Sequence, residues 1–186
     1  MTNQETPIRI RTGADIPGCV EALRDVYRTD GYPVEGVAQA EKWLHPDNLL
    51  QAWVAGPPDN IVGHTAICRP EGEAAASMLI EQSDLSEDQI AVIARLFVIS
   101  TAREQGTGTA LAAAAWSYAK EHDRHIVFDV MAKDRAAISL YERLGCIRLG
   151  ETMHTFGDNE QTLAYCYVAT AGVDGHPAMR HPEQMR

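Results

Sequence analysis

The stretch Arg95-Leu96-Phe97-Val98-Ile99-Ser100-Thr101-Ala102-Arg103-Glu104-Gln105-Gly106-Thr107-Gly108-Thr109-Ala110-Leu111 decides the fold. Its first part, Arg95 to Ser100, is an apolar run with β-branched residues, the pattern of a buried strand. A turn follows with two glycines one residue apart. Next comes an alanine-rich run that lacks Gly and Pro from Thr109 to His122. Alanine is the best helix former, so this run predicts a helix. Strand, glycine turn and helix form a layout that holds a phosphate. Glycine lets the backbone approach a ligand, and the free N–H groups of the first helical turn point at the anion. The plainer alternative is a tight turn followed by a helix start.

Two common phosphate loops are absent. There is no G-x-x-x-x-G-K-[ST], so a nucleotide P-loop is unsupported. The full G-x-G-x-x-G also fails, because Leu111 stands where the third glycine would be. What remains is Arg103-x-x-Gly106-x-Gly108 directly after a strand, which resembles the acetyl-CoA pyrophosphate loop of the GNAT N-acetyltransferase superfamily. Downstream, His125 to Val130 predicts another strand. The run Asp134-Arg135-Ala136-Ala137-Ile138-Ser139-Leu140-Tyr141-Glu142-Arg143-Leu144-Gly145-Cys146 follows. It is similar to the GNAT signature N-x-x-A-x-x-L-Y-x-x-L-G-F at Ala137, Leu140, Tyr141, Leu144 and Gly145. Asp134 replaces the usual Asn and Cys146 the usual aromatic. Upstream, Ser100 stands for a common Pro and Glu104 for a common Gly.

The resemblance implies an α/β (α+β) fold: a mixed, mostly antiparallel sheet of six or seven strands flanked by helices. Its fourth and fifth strands, near Leu96 and Val127, would be parallel neighbours splayed at one end. It also implies an acyltransferase that moves an acetyl group from acetyl-CoA to a primary amine of a small molecule or peptide. The pyrophosphate would sit on the amides of Arg103, Glu104, Gln105, Gly106, Thr107, Gly108 and Thr109, with the Arg103 side chain as a cation partner. The pantetheine would run along the backbone of Phe97 and Val98. Asp134 and Ala137 join the cofactor-binding set by their places in the signature. Tyr141 would be the general acid, since a phenol with a pKa of about 10 is protonated at neutral pH; the alternative is a tyrosine that only packs. The segment between the first two strands would line the acceptor site, which makes Tyr32, Glu35 and Trp43 substrate-contact candidates. The base is left open among Glu35, His64, Glu81 and Asp129. A catalytically idle CoA-binding module for sensing or assembly is the competing function. A nucleotide-dependent transferase lacks its P-loop lysine.

Composition sets the outer bounds. A chain of 186 residues suits one domain with a real core, expected here over residues 1–170 with a tail over 171–186. The formal net charge of −10 argues against nucleic acid as a partner and favours cationic substrates. No apolar run approaches the ~18 residues that span a bilayer, and Met1 to Glu5 lack the basic start and apolar core of a signal peptide. A cytoplasmic protein without membrane association follows as the expectation, with homodimeric assembly left open. Cys19, Cys68, Cys146 and Cys166 have no C-x-x-C spacing and read as buried free thiols. His122 and His125 straddle a helix end and a strand start, so no metal site is expected.

The rest of the chain fills in around the central stretch. Pro7 to Arg11 alternates as a first strand, and a helix opens at Ala14-Asp15-Ile16-Pro17 with apolar positions at Val20, Leu23, Val26 and Tyr27. Gly31, Pro33 and Gly36 break it, and Val37 to Leu44 predicts a second helix. Leu50 to Ala55 and Ile61 to Ile67 predict a hairpin, with Gly63 marking a bulge. His64 on the second of these strands is either a satisfied structural histidine or a substrate contact. Arg69 to Asp84 reads as loop with a short strand at Ser77 to Ile80. Ser86 and Gln89 form a capping box that opens a short helix to about Ala94. Cys146 to Leu149 and Leu163 to Ala169 predict two closing strands connected by Glu151 to Thr162.

Overall fold

The computed structural model of the chain describes residues 6–156 and 160–169. Its strands are β1 Ile8–Ile10, β2 Leu49–Ala55, β3 Gly63–Cys68, β4 Ile90–Val98, β5 His125–Met131, β6 Ile147–Phe156 and β7 Glu160–Val168. The α-helices are α1 Ile16–Asp30, α2 Ala40–Leu44, α3 Ala74–Gln82, α4 Thr107–Glu121 and α5 Arg135–Arg143. The strands form a seven-stranded sheet in the order β1-β2-β3-β4-β5-β7-β6. β1 pairs antiparallel with β2, and β7 pairs antiparallel with both β5 and β6. β4 and β5 are parallel, in register at Ile90–His125, Ala91–Ile126 and Val92–Val127. Parallel neighbours need a crossover, which α4 supplies. Past Val92 and Val127 the two strands part. This is the mixed sheet, splayed between its fourth and fifth strands, that the motifs imply.

The described residues gather into two compact units. The first holds those up to Ile67 together with Ala94–Ala115, and the second holds Cys68–Ile93 together with those from Trp116 onward. In the first unit, α1 buries Cys19, Val20, Leu23 and Val26, a stripe at helical spacing, against Ala40, Leu44, Val54, Ile61 and Phe97. Each large apolar side chain buried this way contributes roughly 1.5–3 kcal/mol. Pro17 sits in the first turn of α1, and Gly31 ends the helix at φ 67°, its N–H bonding Tyr27 O at 2.9 Å. Asp15, 1% exposed, takes two bonds from the Arg9 guanidinium at 2.8 and 2.6 Å. Those bonds tie β1 to the start of α1, and they hold the Asp15 carboxyl well below the usual carboxylate range. In the second unit, α3 packs on β5, β6 and β7. Ala75, Ala76 and Leu79 are buried on its inner side.

Four expectations need correction. Ser77 to Ile80 is not a strand but part of α3, where Ala74-Ala75-Ala76 supplies strong helix propensity and Leu79 an apolar anchor. The Ser86–Gln89 box exists, with Ser86 N–H bonding Gln89 Oε1 at 3.1 Å, yet it caps only a single 3₁₀ turn, Glu87–Gln89. The chain then enters β4 at Ile90, because the run to Ile93 is apolar and β-branched and finds a partner strand. The second helix begins at Ala40 rather than Val37. β6 and β7 reach to Phe156 and back from Glu160, so most of the expected Glu151–Thr162 connection is paired strand. Residues 171–186, expected as a tail, lie outside the described residues.

Candidate active site

In the first unit, one 3₁₀ turn, Ser100–Ala102, leads from β4 into the glycine turn. Glu104 has φ 61° and Gly106 φ 81°, both in the left-handed region. A Cβ built on Gly106 meets nothing within 4 Å, so this glycine is needed for its φ and faces open space. Glu104 takes a conformation that glycine adopts freely, at a cost of roughly 1–2 kcal/mol for a residue with a side chain. That accounts for the glycine usual at this place in the resembling motif. α4 begins at Thr107, two residues earlier than expected, so Gly108 is helical and not a left-handed turn residue. Among the described residues, the N–H groups of Gly106, Thr107, Gly108 and Thr109 meet no protein acceptor, whereas Ala110 N–H bonds Gly106 O at 2.9 Å. An open backbone cradle at the start of a 15-residue helix fits an anion such as a pyrophosphate. The Arg103 side chain is turned elsewhere: its guanidinium pairs with Asp30, and its Nε donates to Val98 O at 3.0 Å. Gln105 Nε2 donates to Thr101 O at 3.1 Å.

Of the residues expected at the acceptor side, Tyr32 and Trp43 gather near Phe97 of β4. Tyr32 and Trp43 pack edge to face, centroids 5.8 Å apart, and Trp43 lies 6.5 Å from Phe97. Glu35 is exposed. Arg95, inside β4, has φ 57°, and its guanidinium carbon lies 5.1 Å from the Trp43 ring centre while its Nε donates to Trp43 O. In the sequence Arg95 reads only as the start of a strand. No local pattern marks a left-handed arginine there.

His64 is fully buried. Its Nε2 lies 2.9 Å from Arg11 Nη1, and its Nδ1 lies 2.9 Å from Arg95 O. A guanidinium only donates, so Nε2 accepts and Nδ1–H donates to the carbonyl. Burial pushes the His64 pKa down to about 3, with the Arg11 and Arg95 charges acting the same way. Both ring nitrogens are engaged within the protein, so the structural role is the one the geometry supplies. Gly63 opens β3 rather than interrupting it. A Cβ there would stand 3.0 Å from Leu111 Cδ1 and 3.1 Å from Phe97 O, so glycine is required by close approach to β4.

In the second unit, Tyr141 on α5 is buried, its ring 4.1 Å from that of Phe128 on β5. Asp134 caps α5: its Oδ1 accepts the Ala137 N–H at 3.1 Å. An asparagine would make the same bond with its amide oxygen, so aspartate keeps the cap and the Ala137 amide is occupied by it. Successive strand residues face opposite sides, so Asp129 points to the other face of β5 from Phe128. Its Oδ2 lies 4.0 Å from His154 Nδ1, and each side chain is about a third exposed. Glu81 is exposed on α3. The cysteines are free thiols; burial pushes Cys19, Cys146 and Cys166 up to about 11, so none of these three is poised as a nucleophile. Among the described residues, no group of three His, Cys, Asp or Glu side chains is placed to hold a metal, and no helix is long and apolar enough to cross a membrane.

The chain is similar in fold to Arabidopsis thaliana NAA60 in complex with a bisubstrate analogue, with TM-score 0.66 and 18% identity over 91% of this chain and 100% of that one. The same protein in complex with acetyl-CoA matches with TM-score 0.65 and 18% identity, over 87% and 96%. The ribosomal-protein-S18-alanine N-acetyltransferase from Escherichia coli matches with TM-score 0.66 and 14% identity, over 92% and 97%. A comparison with curated proteins finds no match. The family model described as the acetyltransferase (GNAT) family matches residues 19–146, a span that takes in the glycine turn and the α5 signature. The anion cradle, the splayed parallel strands and that match agree, and the chain belongs to the acetyltransferase (GNAT) family.

Proposed function

We propose that this enzyme moves an acetyl group from acetyl-CoA directly to a primary amine of a small molecule or a peptide. The carrying observation is the glycine turn, whose N–H groups from Gly106 to Thr109 open the long helix α4 without protein acceptors. Acetyl-CoA supplies the acetyl group as a thioester. The turn's amides hold its pyrophosphate, and Arg103 can turn to it. The Arg103–Asp30 pair is about 40% exposed on each side, and such pairs are worth only about 0–1 kcal/mol. The backbone of Phe97 and Val98 meets the pantetheine amides as an added strand would. Tyr141 donates its phenolic proton to the leaving sulfur. Tyr32, Glu35 and Trp43 line the acceptor side.

For the amine's proton we take Asp129 as the base, its Oδ2 4.0 Å from His154 Nδ1, because the His64 Nε2 lone pair is taken by Arg11. Asp129 and the Tyr141-packed Phe128 face opposite sides of β5. Direct transfer needs both substrates held at once, an arrangement that a bisubstrate analogue bound to the Arabidopsis protein supports by analogy. The test is thiol release from acetyl-CoA over a panel of small amines and peptide N-termini, with mass detection of acetylated product. Amine-dependent release supports transfer. Acetyl-CoA binding with no release on any amine would favour the idle CoA-binding module.

A further inference from the structure

We propose that His64 is a positioning residue that fixes the left-handed backbone of Arg95 within β4 and so sets the backbone of Leu96 to Val98 against the pantetheine end of acetyl-CoA. This rests on the acetyltransferase reading above. A left-handed residue within a strand turns its carbonyl out of the ladder and bends the strand. Such a conformation in a residue with a side chain persists only where its surroundings over-determine it. Arg95, at φ 57°, is held from both ends. Its carbonyl takes the His64 Nδ1–H at 2.9 Å, and its side chain is fixed on the Trp43 carbonyl and ring.

The His64 ring is itself immobilised. It is fully buried and stacked on Phe97, with centroids 5.4 Å apart and planes 17° apart. Arg11 fixes its Nε2, and the same Arg11 nitrogen donates to Leu44 O at 2.7 Å. Next to it, Gly63 brings β3 within reach of Phe97 O. The anchors on Arg95 lie two and three residues before Phe97 and Val98, the backbone groups assigned to the pantetheine, and the others meet Phe97 itself. His64 carries no proton in the reaction. It acts through Arg95 on where Leu96, Phe97 and Val98 present their amides.

The test uses calorimetry on the full chain with two ligands, acetyl-CoA and the nucleotide half of CoA that lacks the pantetheine, with folding checked by circular dichroism. His64→Leu should weaken acetyl-CoA binding about tenfold, the worth of one well-placed hydrogen bond, and leave the nucleotide half unchanged. His64→Asn, whose amide can still donate to Arg95 O, should restore most of the loss. Unchanged acetyl-CoA affinity in folded His64→Leu overturns the proposal, and so does an equal loss of both ligands. A wild-type protein that binds the nucleotide half but not acetyl-CoA overturns the acetyl-CoA reading and this role with it. If His64→Leu does not fold, nitrogen NMR of the wild-type ring decides. The Nδ1–H signal should shift with acetyl-CoA and not with the nucleotide half, and a signal blind to acetyl-CoA overturns the proposal.

Discussion

At the scale of single residues, two side chains carry opposite demands in the proposed reaction. Tyr141 as the proposed acid holds a proton and gives it up, whereas the buried His64 stays neutral. Tyr141→Phe keeps the ring on Phe128 and removes only the donor. Turnover should fall roughly 10²–10⁴-fold while acetyl-CoA affinity holds, as steady-state kinetics beside calorimetry would show. Full turnover in the variant would return Tyr141 to a packing role. His64 answers to pH through stability. Its folded pKa of about 3 lies below the unfolded value of about 6.5, so below that value the unfolded chain binds the proton first. The stability His64 lends is therefore complete above pH ~6.5 and is lost as pH falls toward its folded value, at up to about 1.4 kcal/mol per pH unit. Urea denaturation midpoints between pH 7 and 4 should show this slope in the wild type and lose it in His64→Asn. Tyr141 is legible in the sequence itself, because the signature around it is local. His64 reads there only as a histidine on a strand, because its partners Arg95 and Arg11 lie 31 and 53 positions away.

At the scale of elements, helix starts carry the proposed site. α5 begins on the Asp134 cap, and removing that oxygen leaves the Ala137 N–H without it. Asp134→Ala should cost about 0.5–2 kcal/mol in chemical denaturation, and Asp134→Asn close to nothing. A loss as large in the Asn variant would mean that the charge matters and not the cap. α4 begins at Thr107, and Gly108 lies in its first turn beside the free amides. Gly108→Val should keep the fold, since a β-branched residue is tolerated in a helix, and should block acetyl-CoA by filling the space of the phosphates. Unchanged affinity by calorimetry would refute the cradle. α3 is the element that local pattern hides: its alanines favour a helix, but the polar run before them holds no start signal strong enough to outweigh a loop.

At the scale of the whole molecule, the family fold ties ligand binding to stability. Acetyl-CoA at about 100 times its Kd should stabilise the protein by about 2.7 kcal/mol, provided it binds only the folded state. For a chain of this length that corresponds to a rise in Tm of roughly 5–10 °C. Differential scanning fluorimetry should show the rise in the wild type and not in Gly108→Val. No shift at saturating ligand would contradict the assigned cofactor.

By itself the sequence determined the strand, glycine turn and helix and the edges of α1, while the family resemblance carried by the glycine turn and the α5 signature implied the parallel crossover. The strand, the turn and the helix edges are fixed by near neighbours: period-two or helical patterning, a glycine that frees φ, a proline in the first turn of α1. Only the tertiary structure decided that β4 starts at Ile90, that β6 and β7 pair as far as Phe156 and Glu160, and that Arg95 is left-handed within its strand. Strand length depends on whether a partner strand is there to pair, and the Arg95 conformation on His64, Trp43 and Gly63 meeting it from distant positions. Local propensity holds no record of such contacts, because they exist only once the chain has folded.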